Sequence, residues 1–380
     1  MSLTRIQKTI TGDGPGRSTE LTYFTLGPDT ASNKVYLQAA LHADEQPGIM
    51  VLHHLLPLLT QADDAGLLNA RFVIFPMVNP LGMADISLNQ HQGRHDKVSG
   101  VNHNRQWPDL FHAIEHRLDG NWSGDVEENR QIIRRAVAEW LADVTPVSAL
   151  QQQKQMVMQE AYDADYVFDL HCDNDALVHI FSVPQINSVM QDLSHWIGAA
   201  GVLTAEDSGG GSFDEVWPGL WIKLAAAFPG VPLPEPAIAA TLEYRGQFDT
   251  FDALNGDDAH RLYGFFQEQG LIGGEWIMAK PDDGAAPTPL NATEMTRVTE
   301  SGLLAYRVAL GDEVEKGDVL ADLIALDGDE AFTRRTPIVA GTSGRVISRN
   351  IHKYVWPGCS IAKIVGTEPL PSRGDYLLED

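Results

Sequence analysis

Short apolar runs punctuate the first three quarters of the chain, and each stops at a polar residue. KVYLQAAL (Lys34 to Leu41) reads as a buried strand that ends at His42. ADEQPG follows, then IMVLHHLLPLLTQ, which has helical period; Pro47 lies near its first turn, where a missing N–H costs nothing. Strand, short loop and helix in that order open an α/β unit. RFVIFPMV (Arg71 to Val78) predicts a second strand, ending at Asn79-Pro80. Residues 81–106 are polar, rich in His, Asn and Gly, and without period; loops of that length are usually functional or disordered. Residues 108–160 predict helices, with NRQIIRRAVAEWLADV and SALQQQKQMVMQEAYD as good helix formers. YVFDL (Tyr166 to Leu170) is a third strand, stopping at His171. HIFSVP is a fourth, PAIAATLEY (Pro236 to Tyr244) a fifth, and DDAHRLYGFFQEQGLI reads as a closing helix.

Strands alternating with helices imply an open sheet covered on both faces, with ligands beyond the carboxyl ends of the strands. His42, His171 and Glu243 all fall at or near such ends. After residue 280 the texture changes. KPDDGAAPTPLNATE has the composition of a linker or domain edge. Beyond it come short strand patterns divided by Gly-Asp and Pro-Gly turns, with no helical period. The expected organisation is an α/β domain over residues 1–280 and a small all-β domain over residues 285–380.

Composition narrows the function without naming it. A chain of 380 residues with 43% hydrophobic and 21% charged residues is ordinary globular protein, long enough to build its cores without staples. The formal net charge of −25 repels phosphate backbones and anionic membrane surfaces, so neither nucleic acid nor a membrane is an expected partner. Two cysteines, Cys172 and Cys359, make no disulfide framework and point to a reducing compartment. The first residues lack the apolar core of a signal peptide, and no run reaches the ~18 apolar residues of a membrane span. A cytoplasmic protein is expected, with a homo-oligomer left open.

Three segments carry candidate chemistry. In His42-Ala-Asp-Glu45, an imidazole and a carboxylate three residues apart at a strand end can turn toward one point, and both donor types suit zinc. A catalytic site needs a third ligand, and His171 is the natural supplier; the plainer reading makes His42 and Glu45 helix-capping residues and His171 a loop histidine. GRHDKVSGVNHNRQWPD holds Arg94 and the neighbouring amide and guanidinium of Asn104-Arg105, a fork suited to a carboxylate or simply a solvated loop. Glu243 in ATLEYRGQFD ends an apolar run; it is either a general base or half of an ion pair with Arg245 or another cation. Asp169 is placed to orient a ligand or to serve as a buried structural carboxylate. GGGSFDEVW is a candidate substrate-wrapping segment or a plain flexible loop.

Taken in order, HADE, NP at 79–80, the GRH…GVNHNRQWP stretch, DLH at 169–171 and TLEYRG resemble the zinc carboxypeptidase superfamily, and within it the succinylglutamate desuccinylase/aspartoacylase branch. The resemblance spans roughly residues 30–275. It implies a three-layer α/β/α hydrolase domain with a mixed, mostly parallel sheet around one zinc. By position, it implies His42, Glu45 and His171 as zinc ligands, Arg94 as the arginine that steadies the oxyanion, Asn104 and Arg105 as the substrate-carboxylate pair, and Glu243 as the glutamate that activates water. His103 departs from the leucine usual in the branch. The implied activity is zinc-dependent hydrolysis of an amide or ester in a small N-acyl amino acid or related carboxylate; the alternative is a metallocarboxypeptidase acting on short peptides. The C-terminal region resembles a barrel-sandwich hybrid of the lipoyl or biotinyl type through GDEVEKGDVLADLI and NIHKYVWPGCSIAKI. Its expected hairpin tip, LDGDEAFTRR, has no lysine to carry a prosthetic group, which makes the module structural or substrate-gating.

Overall fold

Side-chain alternation along the strands builds the centre of the protein. In a computed structural model of the chain, which describes residues 3–118, 120, 122–374 and 377, Val35, Leu37 and Ala39 face one apolar cluster while Tyr36 faces another. Phe168 and Leu170 share the first cluster and Val167 the second; Ala240 and Leu242 divide from Ala239 in the same way. Period-two alternation with both faces apolar requires a sheet covered on both sides. The extreme ends of the two expected domains, residues 1–2, 375–376 and 378–380, lie outside the described residues.

Nine strands form that sheet. In chain order they are β1 (Thr4–Thr11), β2 (Ser18–Leu26), β3 (Asn33–Ala39), β4 (Ala70–Phe75), β5 (Tyr166–Asp173), β6 (His179–Ser182), β7 (Gly201–Thr204), β8 (Ile238–Gly246) and β9 (Pro287–Pro289). Their spatial order is β1-β2-β4-β3-β5-β8-β6-β7-β9. The β4-β3-β5-β8 centre and the β6-β7-β9 edge are parallel, whereas β1-β2, β2-β4 and β8-β6 are antiparallel. The sheet is therefore mixed and mostly parallel, as expected.

Helices α1 (Pro47–Asp64), α4 (Asn187–Ile197) and α6 (Asp252–Glu268) cover one face. Helices α2 (Val126–Asp143), α3 (Ala149–Ala161) and α5 (Phe213–Ala227) cover the other. Pro47 occupies the start of α1, where its fixed φ suits a helix and its absent N–H is not needed. Leu52, Leu55 and Leu59 of α1 meet Phe265 and Phe266 of α6 over Phe72 and Phe168 of the sheet. The long polar segment is partly ordered by its own elements, a short helix over Pro80–Met83 and a two-strand hairpin, Ile86–Ser87 with Gln90–His91.

Residues 293–365 form two small antiparallel sheets. One joins Thr293–Arg297, Ser360–Val365, Gly344–Arg349 and Glu313–Val314; the other joins Arg335–Val339, Val319–Ile324, Gly302–Tyr306 and Tyr354–Val355. Leu304, Leu320, Val346, Val355 and Ile364 close a separate core between them. The strand Gly344–Arg349 also pairs with Asp175–Ala176, just after β5, so the β module is hydrogen-bonded to the chain that leaves the site.

Candidate active site

Two kinks and one glycine place the first group of side chains. β3 ends at Ala39, and Ala40 adopts φ 58°, a left-handed conformation rare outside glycine. The chain turns off the sheet there, and a tight turn with Glu45 N–H on the carbonyl of His42 follows. Gly93 carries the polar loop across this turn: its carbonyl accepts from Ala43 N–H, and a Cβ on it would stand 2.5 Å from Asp44 N. Any side chain there would push Arg94 away from the site.

β5 does not stop at His171 but continues through it to Asp173. That puts Val167, Asp169 and His171 on one face of the strand. Glu243 on β8 lies in register beside His171, on the same face. Arg245 immediately afterwards takes φ 65° at a register shift, which turns its side chain to Asp258, 2.7 Å away. The ion-pair partner considered for Glu243 is thus committed elsewhere. Glu243 Oε2 is buried without a hydrogen-bond partner, and burial, with the nearby Glu45 charge, pushes its pKa up to about 8.

The three candidate ligands meet. His42, Glu45 and His171 are 4%, 5% and 2% exposed, and each offers a ligand atom within 4.8 Å of the others. His42 Nδ1 lies 2.9 Å from Glu45 Oε1, and His171 Nδ1 lies 2.6 Å from Glu45 Oε2. The far ring nitrogens face oxygens: His42 Nε2 is 2.8 Å from Asn102 Oδ1, and His171 Nε2 is 2.9 Å from Asp169 Oδ2. In both rings Nδ1 faces the Glu45 carboxylate, the side on which the three ligand atoms converge. Burial, together with Arg94, lowers the His42 pKa to about 3 and keeps that ring neutral. Burial pulls His171 the other way from Asp169 and Glu45, whose charges win and raise it well above the usual range. Two imidazoles and a carboxylate, buried and aimed at one point, could hold a metal ion. Arg94 Nη1 closes the group, 3.0 Å from Glu45 Oε1.

The second group sits on the polar loop. Asn104 Oδ1 accepts from Phe213 N–H at 2.8 Å, so its amide nitrogen is the group left for the cavity. Arg105 Nη1 donates to the Asn104 carbonyl at 2.8 Å, and the Arg105 carbonyl accepts from Lys154 Nζ at 2.6 Å. Gln106 and Trp107 N–H bond the carbonyls of Gly210 and Gly211, tying this loop to the GGGSFDEVW segment. All seven candidate residues line one cavity of about 300 Å³. Thr293, Met295 and Lys363 of the β module line it too, and Lys363 Nζ reaches Asp173 Oδ2 at 2.6 Å.

Comparison with known families agrees with this arrangement: residues 31–205 match the succinylglutamate desuccinylase/aspartoacylase catalytic domain. The matched stretch holds the three candidate ligands, His42, Glu45 and His171. No curated protein matches the chain. Among solved structures, a protein described as a succinylglutamate desuccinylase/aspartoacylase from Shewanella frigidimarina NCIMB 400 superimposes with a TM-score of 0.81 at 20% identity, covering 96% of this chain and 97% of the other. A succinylglutamate desuccinylase/aspartoacylase family protein from Shewanella amazonensis SB2B gives 0.82 at 21% identity, with 95% and 98% covered. One from Rhodobacter sphaeroides gives 0.65 at 14% identity, with 96% of each chain covered. At these identities the likeness is one of fold, and it runs through the β module as well as the family's catalytic region.

Some participants were invisible in the sequence. Asn102, two residues before Asn104, orients His42, and only the repeated Asn of GVNHNRQ hints at it. Lys363 comes from a strand nearly two hundred residues after β5, and the segment around it, NIHKYVWPGCSIAKI, signals a β module and not a site. His103, where the branch usually has leucine, is buried with neither ring nitrogen bonded. No helix among the described residues is long and apolar enough to cross a membrane.

Proposed function

We propose that this chain is a zinc-dependent deacylase that hydrolyses the amide of a small N-acyl amino acid or a related carboxylate. The observation that carries this reading is the convergence of His42, Glu45 and His171 beside Glu243, whose buried Oε2 has no partner. A divalent cation held by the three residues supplies Lewis-acid polarisation of the scissile carbonyl and lowers the pKa of a water. Glu243 takes the proton of the attacking water at Oε2 and returns it to the leaving nitrogen. A carboxyl group with a pKa pushed up to about 8 holds that proton well between the two steps. Arg94, at the rim of the ligand cluster, faces the oxygen on which negative charge develops. Asn104 and Arg105 hold the substrate carboxylate, which the overall charge of −25 would otherwise repel. Residues 1–280 then serve as the hydrolase unit, and residues 285–380 as a β unit that walls the cavity with Thr293, Met295 and Lys363. A cytoplasmic setting suits the two free cysteines.

A second reading, a metallocarboxypeptidase for short peptides, draws on one feature. A cavity of about 800 Å³ adjoins the first and shares Arg94, Asp173 and Lys363 with it, room for a longer chain. Glu243→Gln tests the chemistry common to both. The variant is expected to keep one equivalent of zinc by elemental analysis and lose about 10²–10⁴-fold in kcat; a variant that still turns over at the wild-type rate would overturn the base assignment. N-acyl amino acids assayed against short peptides separate the two readings.

A further inference from the structure

Gln38 and Asp169 are both 0% exposed, on a sheet face that also carries Tyr36, Phe75 and Val167. A polar side chain so deep in an apolar layer is costly unless its atoms find partners. Neither oxygen of Asp169 has a hydrogen bond, although His171 Nε2 lies 2.9 Å from Oδ2. His171 can answer for one of the two oxygens. Oδ1 requires a donor from another residue.

Gln38 stands where that donor is needed. β3 runs beside β5, and Gln38 is in register with Asp169 on the same face, across the ~4.8 Å that separates neighbouring strands. Its neighbour on the other side, Phe75 of β4, has no acceptor oxygen in its side chain. Tyr36 OH donates to Gln38 Oε1 at 2.8 Å, so the amide oxygen is taken and the amide nitrogen is turned away from Tyr36. Gln38 Nε2 is buried without a partner. The Asp169 charge is felt within this group: after burial, it is the largest influence that pushes the Tyr36 hydroxyl well above its ordinary range. An unmet donor and an unmet acceptor therefore sit on opposed residues of adjacent strands, next to a candidate metal ligand.

Resting on the deacylase reading for a metal at His171, we propose that Gln38 is a positioning residue whose Nε2 donates to Asp169 Oδ1, directly or through one buried water, and so sets the carboxylate that aims His171. Tyr36 sets Gln38 in turn. The three side chains run from the apolar layer to the ligand, each fixing the next. Gln38 touches neither metal nor substrate. Its influence reaches the site through the aim of one ligand, so it is read first in metal affinity.

The test withdraws zinc from the loaded full chain with a chromogenic chelator. Gln38→Met keeps the length of the side chain and removes the amide, and is expected to weaken zinc binding by about 10-fold. Asp169→Ala is expected to weaken it by about 10–100-fold. In the Asp169→Ala background Gln38→Met should then cost less than about 2-fold, because the group it acts through is gone. Should Gln38→Met not fold, Tyr36→Phe, which removes one hydroxyl, carries the same comparison with an expected loss of roughly 3-fold. Unchanged zinc affinity in the single variant overturns the positioning role and leaves the deacylase standing. So do losses that multiply in full in the double variant, as a mere packing defect would give. A wild-type chain that takes up no stoichiometric zinc overturns the deacylase reading, and this role for Gln38 with it.

Discussion

The two sides of the cavity are built by different means. On the ligand side, His171 and Glu243 ride on adjacent strands in fixed register, and His42 and Glu45 hang from a third strand end. Their neighbours are side chains, Asn102 beside His42, Asp169 beside His171 and Arg94 beside Glu45. On the opposite side, Asn104 and Arg105 belong to a loop, tied to the start of α5 by Gln106 and Trp107 N–H on the carbonyls of Gly210 and Gly211 and by Phe213 N–H on Asn104 Oδ1. The first side is a cradle whose geometry the sheet enforces. The second is a strap whose position depends on a handful of hydrogen bonds. Perturbing the first should therefore change whether the protein binds metal, and perturbing the second should change what it accepts.

The largest expected effect is loss of the cradle. His171→Ala or Glu45→Ala should abolish turnover, with zinc restoring activity to the chelator-treated wild-type chain but not to either variant. Chelation should also lower the melting temperature, since metal at ~100 times its Kd stabilises the folded state by about 3 kcal/mol. Retention of activity by either variant would break the comparison. One step smaller, Asp169→Asn and Asn102→Ala leave the donors in place and loosen their aim. Each should weaken metal affinity by about 10–100-fold, read by competition with a chromogenic chelator.

On the strap side, Lys154 Nζ lies 4.8 Å from the centre of the Trp107 ring as well as bonding the Arg105 carbonyl. Lys154→Met should loosen the Arg105 turn, raising KM by roughly 10-fold while kcat stays within about 2-fold. A fall in kcat with an unchanged KM would place Lys154 on the wrong side of the comparison. The smallest effect concerns stability. Burial lowers the His103 pKa from the ordinary 6.5 to about 4, so the folded chain keeps it neutral where the unfolded chain is already protonated. The unfolded state binds the extra proton between pH 6.5 and 4, and stability falls as pH falls through that window. His103→Leu should remove this loss, gaining about 2 kcal/mol at pH 4 relative to its effect at pH 8 in denaturant titrations. The same pH slope in both proteins would refute it.

Much of the scaffold could be read before any coordinates. Tyr166–Leu170 and Pro236–Tyr244 announce buried parallel strands because both of their faces must be apolar, and the structure places them side by side. The loop over residues 81–106 announces itself by lacking any period, yet its hairpin at Ile86–His91 was not visible, since two-residue strands leave no pattern. Asn102 and Lys363 illustrate a different limit. Their roles come from who stands opposite them, and no spacing rule relates Asn102 to His42 or Lys363 to Asp173.

What the sequence determined by itself is the kind of side chain at each strand end, and the alternation that makes a covered sheet. Both are local: a residue's chemistry and a two-residue period do not depend on distant neighbours. Only the tertiary structure decided that Nδ1 of both histidines turns inward, that Arg245 is taken by Asp258, and that Lys363 of the β module reaches Asp173. Orientation, pairing and burial are properties of contacts between segments far apart in the chain, and they exist only once the sheet register, the left-handed kinks and the docked β module have fixed which segments meet.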